Sequence, residues 1–318
     1  MVKEEIANID DRSADHKIVN SLVWNAEAGI RAIWLMYDDH STDKNSKENV
    51  FILKENMQYR LFATTHQYLL MIRELNLAEL RLHEMHKQDP QMFNAFPLGN
   101  PHYDQIEVEL SSIFDNIIFN LSSVFDYLSH MICYISRTDK SKTLYWTKLA
   151  KLCRDYKTDF EGQKVREIID VVDRSFVGKL YDYRSRLLHN KRDKHQFTTT
   201  VSFSNQKSFE FDIKILSSNT SRQHFKVIKE LIGEKTPTIL FMSSYLIKKT
   251  FDVIEKVLTE IKDEIKSKSN FYNNLRNPKD KKGLMFAIAD PKTNMAKPVS
   301  DVIWEEYITG RKKNSDLT

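Results

Sequence analysis

The sequence predicts a mainly α-helical protein, a multi-helix bundle with long antiparallel helices and one inserted β-hairpin near residues 197–215. Apolar residues recur at spacings of three and four over long stretches, which is typical of helices. The 318 residues include only 7 Gly and 7 Pro, so few breaks interrupt these stretches. Hydrophobic residues make up 41% of the chain and charged residues 29%, as in globular domains.

The N-terminal part is predicted to form two long helices and then a break. Ser13 or Asp15 is placed to cap the first helix, which ends in the polar stretch 38–47. The second helix covers about 48–87, where apolar residues keep helical spacing. Prolines and a glycine then interrupt the pattern at 89–101.

A buried central helix is predicted at about 103–136, because apolar residues occupy much of its circumference. A shorter helix follows at about 144–156, and a long one at 163–190. Apolar residues then alternate in two runs on either side of a polar turn within 197–215, which predicts the β-hairpin. Two strands are unstable alone, so we expect the hairpin to pack on the helices.

Helices are predicted again at 219–232 and, after a proline, at 238–267. We expect residues 1–270 to form a single helical domain. Residues 271–318 contain prolines and basic runs, and they are expected to form an extended or weakly ordered C-terminal tail.

Charge and cysteine content restrict the function only loosely. The net charge is +4, from 48 basic and 44 acidic residues, which does not by itself imply nucleic acid binding. Cys133 and Cys153 form no CxxC pair and are expected to be core residues in a reducing compartment. The charged start lacks the apolar core of a signal peptide, and no apolar stretch is long enough to span a bilayer. We therefore expect a cytoplasmic protein with no membrane partner.

The most definite chemical suggestion lies at the end of the helix at 163–190, where Arg184 precedes His189 by five residues. A guanidinium binds phosphate, and an imidazole takes up or gives off a proton near neutral pH. At helical spacing, Asp182, Ser185 and His189 share one stripe, with an arginine on either side of it. The structural alternative is that the arginine and histidine stabilise the helix dipole at its C-terminus.

Two other arginine–histidine pairs have similar spacing in the predicted second helix. Arg60 and His66 lie among apolar residues, so a packing role is expected for them. Arg81 and His86 lie among charged residues, where pairing on a solvated face is the expected role. His83, His86 and a nearby glutamate lack the HExxH arrangement, so we expect no metal site there.

The motif Arg184-Ser185-Arg186-Leu187-Leu188-His189 resembles the arginine–polar–x–x–x–histidine motif of the HEPN superfamily (higher eukaryotes and prokaryotes nucleotide-binding). The family commonly has Asn after the arginine, and Ser185 departs from that. Residues 114–127 of the central helix also resemble a core helix of the family, and the resemblance is strongest over 103–195. It implies an all-helical domain, and many members are metal-independent RNases in antiviral defence or toxin–antitoxin pairs.

The resemblance implies an endoribonuclease that needs no cofactor or metal and cleaves RNA by attack of a 2′-hydroxyl. It also implies a homodimer whose two motifs form one cleft. The implied site residues are Arg184 and His189 as the catalytic pair, Asp182, Ser185, Asp115 and Asn116 as supporting residues, and Arg186, Asn190, Lys191 and Arg192 as RNA-binding residues. The alternatives are a non-catalytic module that binds nucleotide or RNA, and an adaptor or regulatory partner such as an antitoxin.

Overall fold

The computed structural model describes residues 6–41, 43–89, 101–137, 143–155, 164–189, 193–203, 209–268, 287–289 and 296–315. These residues are mainly helical, and the longest β-strands among them form one hairpin. The predicted fold class is therefore confirmed.

The helices before the hairpin follow the predicted order. They are α1 (Arg12–His40), α2 (Lys44–Gln88), α3 (Pro101–Ser136), α4 (Trp146–Arg154), α5 (Lys164–Val172) and α6 (Gly178–His189). Helix α3 is buried or half-buried at every residue of 117–136, as its apolar circumference predicts, whereas its first half has an exposed face that includes Val108 and Asn116. A π-helical turn, Asp173–Val177, joins α5 to α6 within the predicted helix at 163–190. Such a turn inserts one extra residue, and apolar spacing alone does not reveal it.

The rest of the chain contains the hairpin, two short helices and two longer ones. In order, these elements and the short strands are β1 (Ile6–Ala7), β2 (Gln196–Phe203), β3 (Phe209–Leu216), α7 (Asn219–His224), α8 (Lys226–Ile232), β4 (Thr236–Pro237), α9 (Ile239–Ser267), β5 (Ala287–Ala289), β6 (Ala296–Pro298) and α10 (Val299–Ser315). The predicted helix at 219–232 is thus divided at Phe225.

The predicted hairpin is formed by β2 and β3, which pair in antiparallel fashion with Phe197 opposite Ile215 and Thr199 opposite Ile213. Phe211, Ile213 and Ile215 are buried, while the residues between them are half-buried. One face of β3 therefore packs on the protein interior.

The chain divides into two compact units, each assembled from three segments. The first unit contains Met1–Val19, Ala63–Asn120 and Lys179–Ile247, and the second contains Asn20–Phe62, Leu121–Gly178 and Lys248–Thr318.

In the first unit, Glu79 of α2 links the start of α1 to the hairpin. Its carboxylate accepts hydrogen bonds from both terminal nitrogens of Arg12, at 2.8 and 2.7 Å, and from the backbone N–H of Ile213, at 3.0 Å. Because the arginine and the glutamate are both largely buried, this ion pair fixes three elements against one another.

In the second unit, a buried tryptophan connects α4 to the π-helical turn. The Trp146 indole N–H donates to the Asp173 carboxylate at 2.9 Å, and Arg154 donates to the other oxygen of that carboxylate at 2.7 Å. Trp146 also packs edge-on against Phe125 of α3, with ring centres 5.3 Å apart. Cys153, near the end of α4, is a buried free thiol, and burial raises its pKa to about 12.

The expected N-terminal caps of α1 are wrong. The Asp11 carboxylate accepts a hydrogen bond from the backbone N–H of Ala14 at 2.8 Å, which is the geometry of a cap. Asp15 is instead buried, where its carboxylate accepts hydrogen bonds from the hydroxyls of Tyr68, at 2.5 Å, and Ser244, at 2.8 Å. Its partners are distant in sequence, so helical spacing alone could not reveal this role.

The expectation of an extended C-terminal tail is wrong for residues 299–315, which form α10. Trp304 and Tyr307 are buried and lie one helical turn apart, so they give this helix an apolar face. The ring of Tyr307 lies against Gly29 of α1, where an added Cβ would come within 2.9 Å of Cζ. Asp301 pairs with Lys266 of α9 at 2.8 Å. The basic run at 279–282 lies outside the described residues.

Candidate functional site

Helix α6 carries the arginine–histidine motif, and two buried residues set its orientation in the first unit. Leu180 and Tyr183 are fully buried. The Tyr183 ring contacts Phe114 of α3, with ring centres 6.3 Å apart, and packs edge-on against Phe225 at 5.4 Å. The face of α6 that carries Leu180 and Tyr183 therefore packs against the protein interior.

The opposite face of α6 is exposed and carries four polar side chains. They are Asp182, Ser185, Arg186 and His189. At about 100° per residue, all four fall within one sector of about 100° around the helix axis. The imidazole of His189 therefore lies at the solvent-exposed end of α6, beside a cation and a hydroxyl.

Arg184 lies apart from this stripe. Its side chain is half-buried, its Nε is buried, and its guanidinium carbon is 5.8 Å from the centre of the Tyr181 ring. On an ideal helix, residues five apart differ by about 140° in direction. Within one chain, Arg184 and His189 are therefore not brought together on one side of the helix.

Asp115 and Asn116, the expected supporting residues from α3, directly follow Phe114, which contacts Tyr183. Asp115 is half-buried and Asn116 is exposed. Burial raises the pKa of Tyr183, and the negative charges of Asp193 and Asp115 raise it further. The Asp115 carboxylate therefore acts electrostatically on the residue next to Arg184. The remaining expected RNA-binding residues, Asn190, Lys191 and Arg192, lie outside the described residues.

A polar cluster directly after the motif was missed by the sequence analysis. The Asp193 carboxylate accepts hydrogen bonds from the hydroxyls of Tyr183, at 2.8 Å, and Ser218, at 2.6 Å. Ser218 also caps α7, because its hydroxyl accepts from the backbone N–H of Ser221 at 3.0 Å. A serine before a predicted helix was the one local signal for this role. The cluster fixes the chain that leaves α6.

His195 extends this cluster toward α3. It is buried, its Nδ1 accepts a hydrogen bond from the backbone N–H of Ser218 at 3.1 Å, and its ring packs edge-on against Phe114 at 5.5 Å. The backbone N–H of His195 donates to Glu107 of α3 at 3.3 Å, and the Ser111 hydroxyl donates to the same oxygen at 3.0 Å. These contacts hold together the start of the hairpin, α3 and α7, so a positional role accounts for this buried histidine.

The two other arginine–histidine pairs occupy different environments. His66 is exposed, so the packing role expected for it is wrong, whereas Arg60 is half-buried. Arg81 is exposed, and His86 is half-buried with its ring 5.8 Å from that of Phe211.

The described residues contain no group of three His, Cys, Asp or Glu placed to hold a metal ion. None of the helices described combines the length and apolar character needed to cross a membrane. The chain matches no protein-family model, no curated protein and no solved structure.

Proposed function

We propose that this chain is a HEPN-like, metal-independent endoribonuclease that cleaves RNA at a composite site in a homodimer. The observation that carries the proposal is the exposure of His189 at the end of α6, on the same face as Ser185 and Arg186. A histidine with only a packing role does not require this exposure. An exposed imidazole is accessible to a substrate as large as RNA.

In the proposed reaction, the 2′-oxygen of a ribose attacks the adjacent phosphorus, and the bond to the 5′-oxygen of the next nucleotide breaks. The products are a 2′,3′-cyclic phosphate and a 5′-hydroxyl. His189 removes the proton of the 2′-hydroxyl or supplies the proton of the leaving oxygen, since an imidazole serves either step near neutral pH. Arg184 binds the phosphate and stabilises the charge that develops on its oxygens.

The different directions of Arg184 and His189 on α6 support the composite site. One chain presents the two groups about 140° apart, so a single copy is poorly arranged to hold one phosphate between them. A two-fold dimer repeats every residue of the interface and so supplies a second motif to the same cleft. Arg186, together with Asn190, Lys191 and Arg192, is proposed to bind the RNA backbone, and the three cations make binding salt-dependent.

The proposed biological setting is defence or a toxin-type system, in which an antitoxin or another regulatory protein controls the nuclease. Uncontrolled cleavage of cellular RNA is toxic. Expression of the wild-type chain is therefore expected to slow growth, and His189→Ala to relieve that effect. Equal growth with both chains would count against this setting.

Labelled RNA incubated in EDTA tests the proposed function. Wild-type protein is expected to produce fragments with 2′,3′-cyclic phosphate ends, and His189→Ala or Arg184→Ala to lose at least about a hundredfold in rate. His66→Ala is the matched control, because it removes another exposed histidine from the same unit. Light scattering after gel filtration measures the oligomer. Cleavage that survives His189→Ala, or activity from a strict monomer, would overturn the proposal.

The second candidate is a non-catalytic module that binds RNA or a protein partner through the exposed face of α6. The half-burial of Arg184 and its contact with the Tyr181 ring favour this candidate, because they also suit a structural arginine. In that case Arg184→Ala lowers the free energy of unfolding, and RNA is bound without being cleaved. The cleavage assay and a denaturation curve of the same variant separate the two candidates.

A further inference from the structure

A cavity of about 730 Å³ lies in the first unit, beside α7, α8 and the segment that leads into α9. Ligand sites for small molecules commonly enclose roughly 300–1,000 Å³. None of the cavity-lining residues belongs to the arginine–histidine motif or to the expected supporting and RNA-binding residues. The cavity is therefore lined by other residues than the proposed nuclease site.

The inner wall of the cavity is apolar. It includes Phe225, Ile228, Pro237 and Met242, all of which are buried. Phe225 is the non-helical residue between α7 and α8, so its ring reaches the interior at the point where the two helices separate. Such a wall favours a flat apolar group, because binding removes apolar surface of both partners from water.

The rim of the cavity carries more positive than negative charge. The cations are Arg222, Lys226, Lys229 and Lys235, and the anions are Glu230 and Glu234. Lys229 and Glu234 form an exposed ion pair at 2.9 Å, so these two residues largely neutralise each other. The charge that remains favours an anionic ligand.

Arg222 is the cation best placed to orient an anion. One terminal nitrogen donates to Asn219, and the other donates weakly to the Thr236 hydroxyl at 3.4 Å, so the side chain is held in place. Its Nε is buried, and among the described residues it has no hydrogen-bond partner. Each terminal nitrogen carries a second N–H, and a bound carboxylate or phosphate oxygen can accept a charge-assisted hydrogen bond from it.

We propose that this cavity binds a small organic anion that combines a flat apolar body with a phosphate or carboxylate group. The body contacts Phe225, Ile228 and Met242, and the anionic group binds Arg222 with help from Lys226. The two parts of the ligand match the two parts of the cavity, so neither an inorganic anion nor an uncharged aromatic molecule fits it as well.

Calorimetric titration of the full chain with four probes tests the proposal. The probes are 1-naphthyl phosphate, 1-naphthoate, uncharged 1-naphthol and inorganic phosphate. At least one of the two naphthyl anions is expected to bind about tenfold or more tightly than both 1-naphthol and inorganic phosphate, since one charge-assisted hydrogen bond corresponds to about that factor. A comparison of the two anions shows whether phosphate or carboxylate is preferred.

Matched variants locate the binding. Arg222→Gln and Lys226→Gln are each expected to weaken binding of the preferred anion, Arg222→Gln by about tenfold, without changing the affinity for 1-naphthol. The double variant Lys229→Gln/Glu234→Gln is the control, because it removes an ion pair whose two charges largely cancel, and it is expected to leave the affinity within about twofold. Since Lys226 is exposed, its variant decides the outcome if Arg222→Gln alters the circular dichroism spectrum. Absence of saturable binding, equal affinity for inorganic phosphate, or unchanged affinity in both test variants would overturn the proposal.

Discussion

Replacement of Asp193 by alanine tests whether the polar cluster after α6 fixes the motif helix. The carboxylate accepts hydrogen bonds from the hydroxyls of Tyr183 and Ser218, at 2.8 and 2.6 Å. In Asp193→Ala both hydroxyls lose this acceptor in a site where they are largely shielded from water. A buried polar group that loses its partner costs about 1–3 kcal/mol. We expect a loss of about 1–2 kcal/mol, because Ser221 still contacts both hydroxyls.

A double-mutant cycle measured by urea denaturation separates this hydrogen bond from general damage to the fold. Tyr183→Phe in the Asp193→Ala background removes a hydroxyl that has already lost its acceptor, so its cost is expected to be smaller than in the wild type. The coupling energy should be about 1 kcal/mol. Asp193→Asn keeps an acceptor oxygen and should recover part of the loss. Strictly additive effects of the two substitutions would refute the reasoning.

Three further predictions concern stability. Glu79→Ala leaves the largely buried Arg12 without its main partner, and we expect the free energy of unfolding measured in urea to fall by about 2 kcal/mol. Glu79→Gln should lower the free energy of unfolding by less. Gly178→Ala places a Cβ 2.9 Å from the backbone oxygen of Asp173. We therefore expect the free energy of unfolding to fall by about 1–2 kcal/mol, despite the better helix propensity of alanine. An unchanged melting temperature would contradict this prediction. Burial lowers the pKa of His130, so the unfolded chain binds a proton more readily than the folded chain. The free energy of unfolding should therefore fall as the pH drops below about 6.5. His130→Gln should reduce this fall between pH 7.5 and 5, and an identical pH dependence in the variant would contradict the prediction.

The regular parts of the fold could be predicted because their signals are local. The apolar circumference of α3 predicts a buried helix, and the alternation at 197–215 predicts the hairpin. The role of Asp15 depends on Tyr68 and Ser244, which are far away in sequence, so a carboxylate near a helix start was mistaken for a cap. Residues 299–315 were expected to be extended because prolines and basic residues precede and follow one another in this part of the chain. The spacing of Trp304 and Tyr307, the two buried aromatic residues of α10, was nevertheless a helical signal.

The candidate site was predictable only in part, because some of its contacts join residues that are far apart in sequence. Helical spacing places His189 and Ser185 on one stripe, and both are exposed. The same spacing does not reveal that Arg184 is half-buried, because its burial depends on how α6 packs in the first unit. Asp193 follows the motif without a local signal for a structural role. Its role depends on Ser218, which the intervening hairpin separates from it along the chain.

Phe225 connects the cavity of the first unit to the helix that carries the arginine–histidine motif. The same ring lines the cavity and packs against Tyr183, the residue before Arg184. A ligand that moved this ring would therefore also alter the packing of Tyr183 in α6. By thermodynamic linkage such an influence is mutual, so if both proposals hold, RNA at α6 and the anion in the cavity change each other's affinity by the same factor.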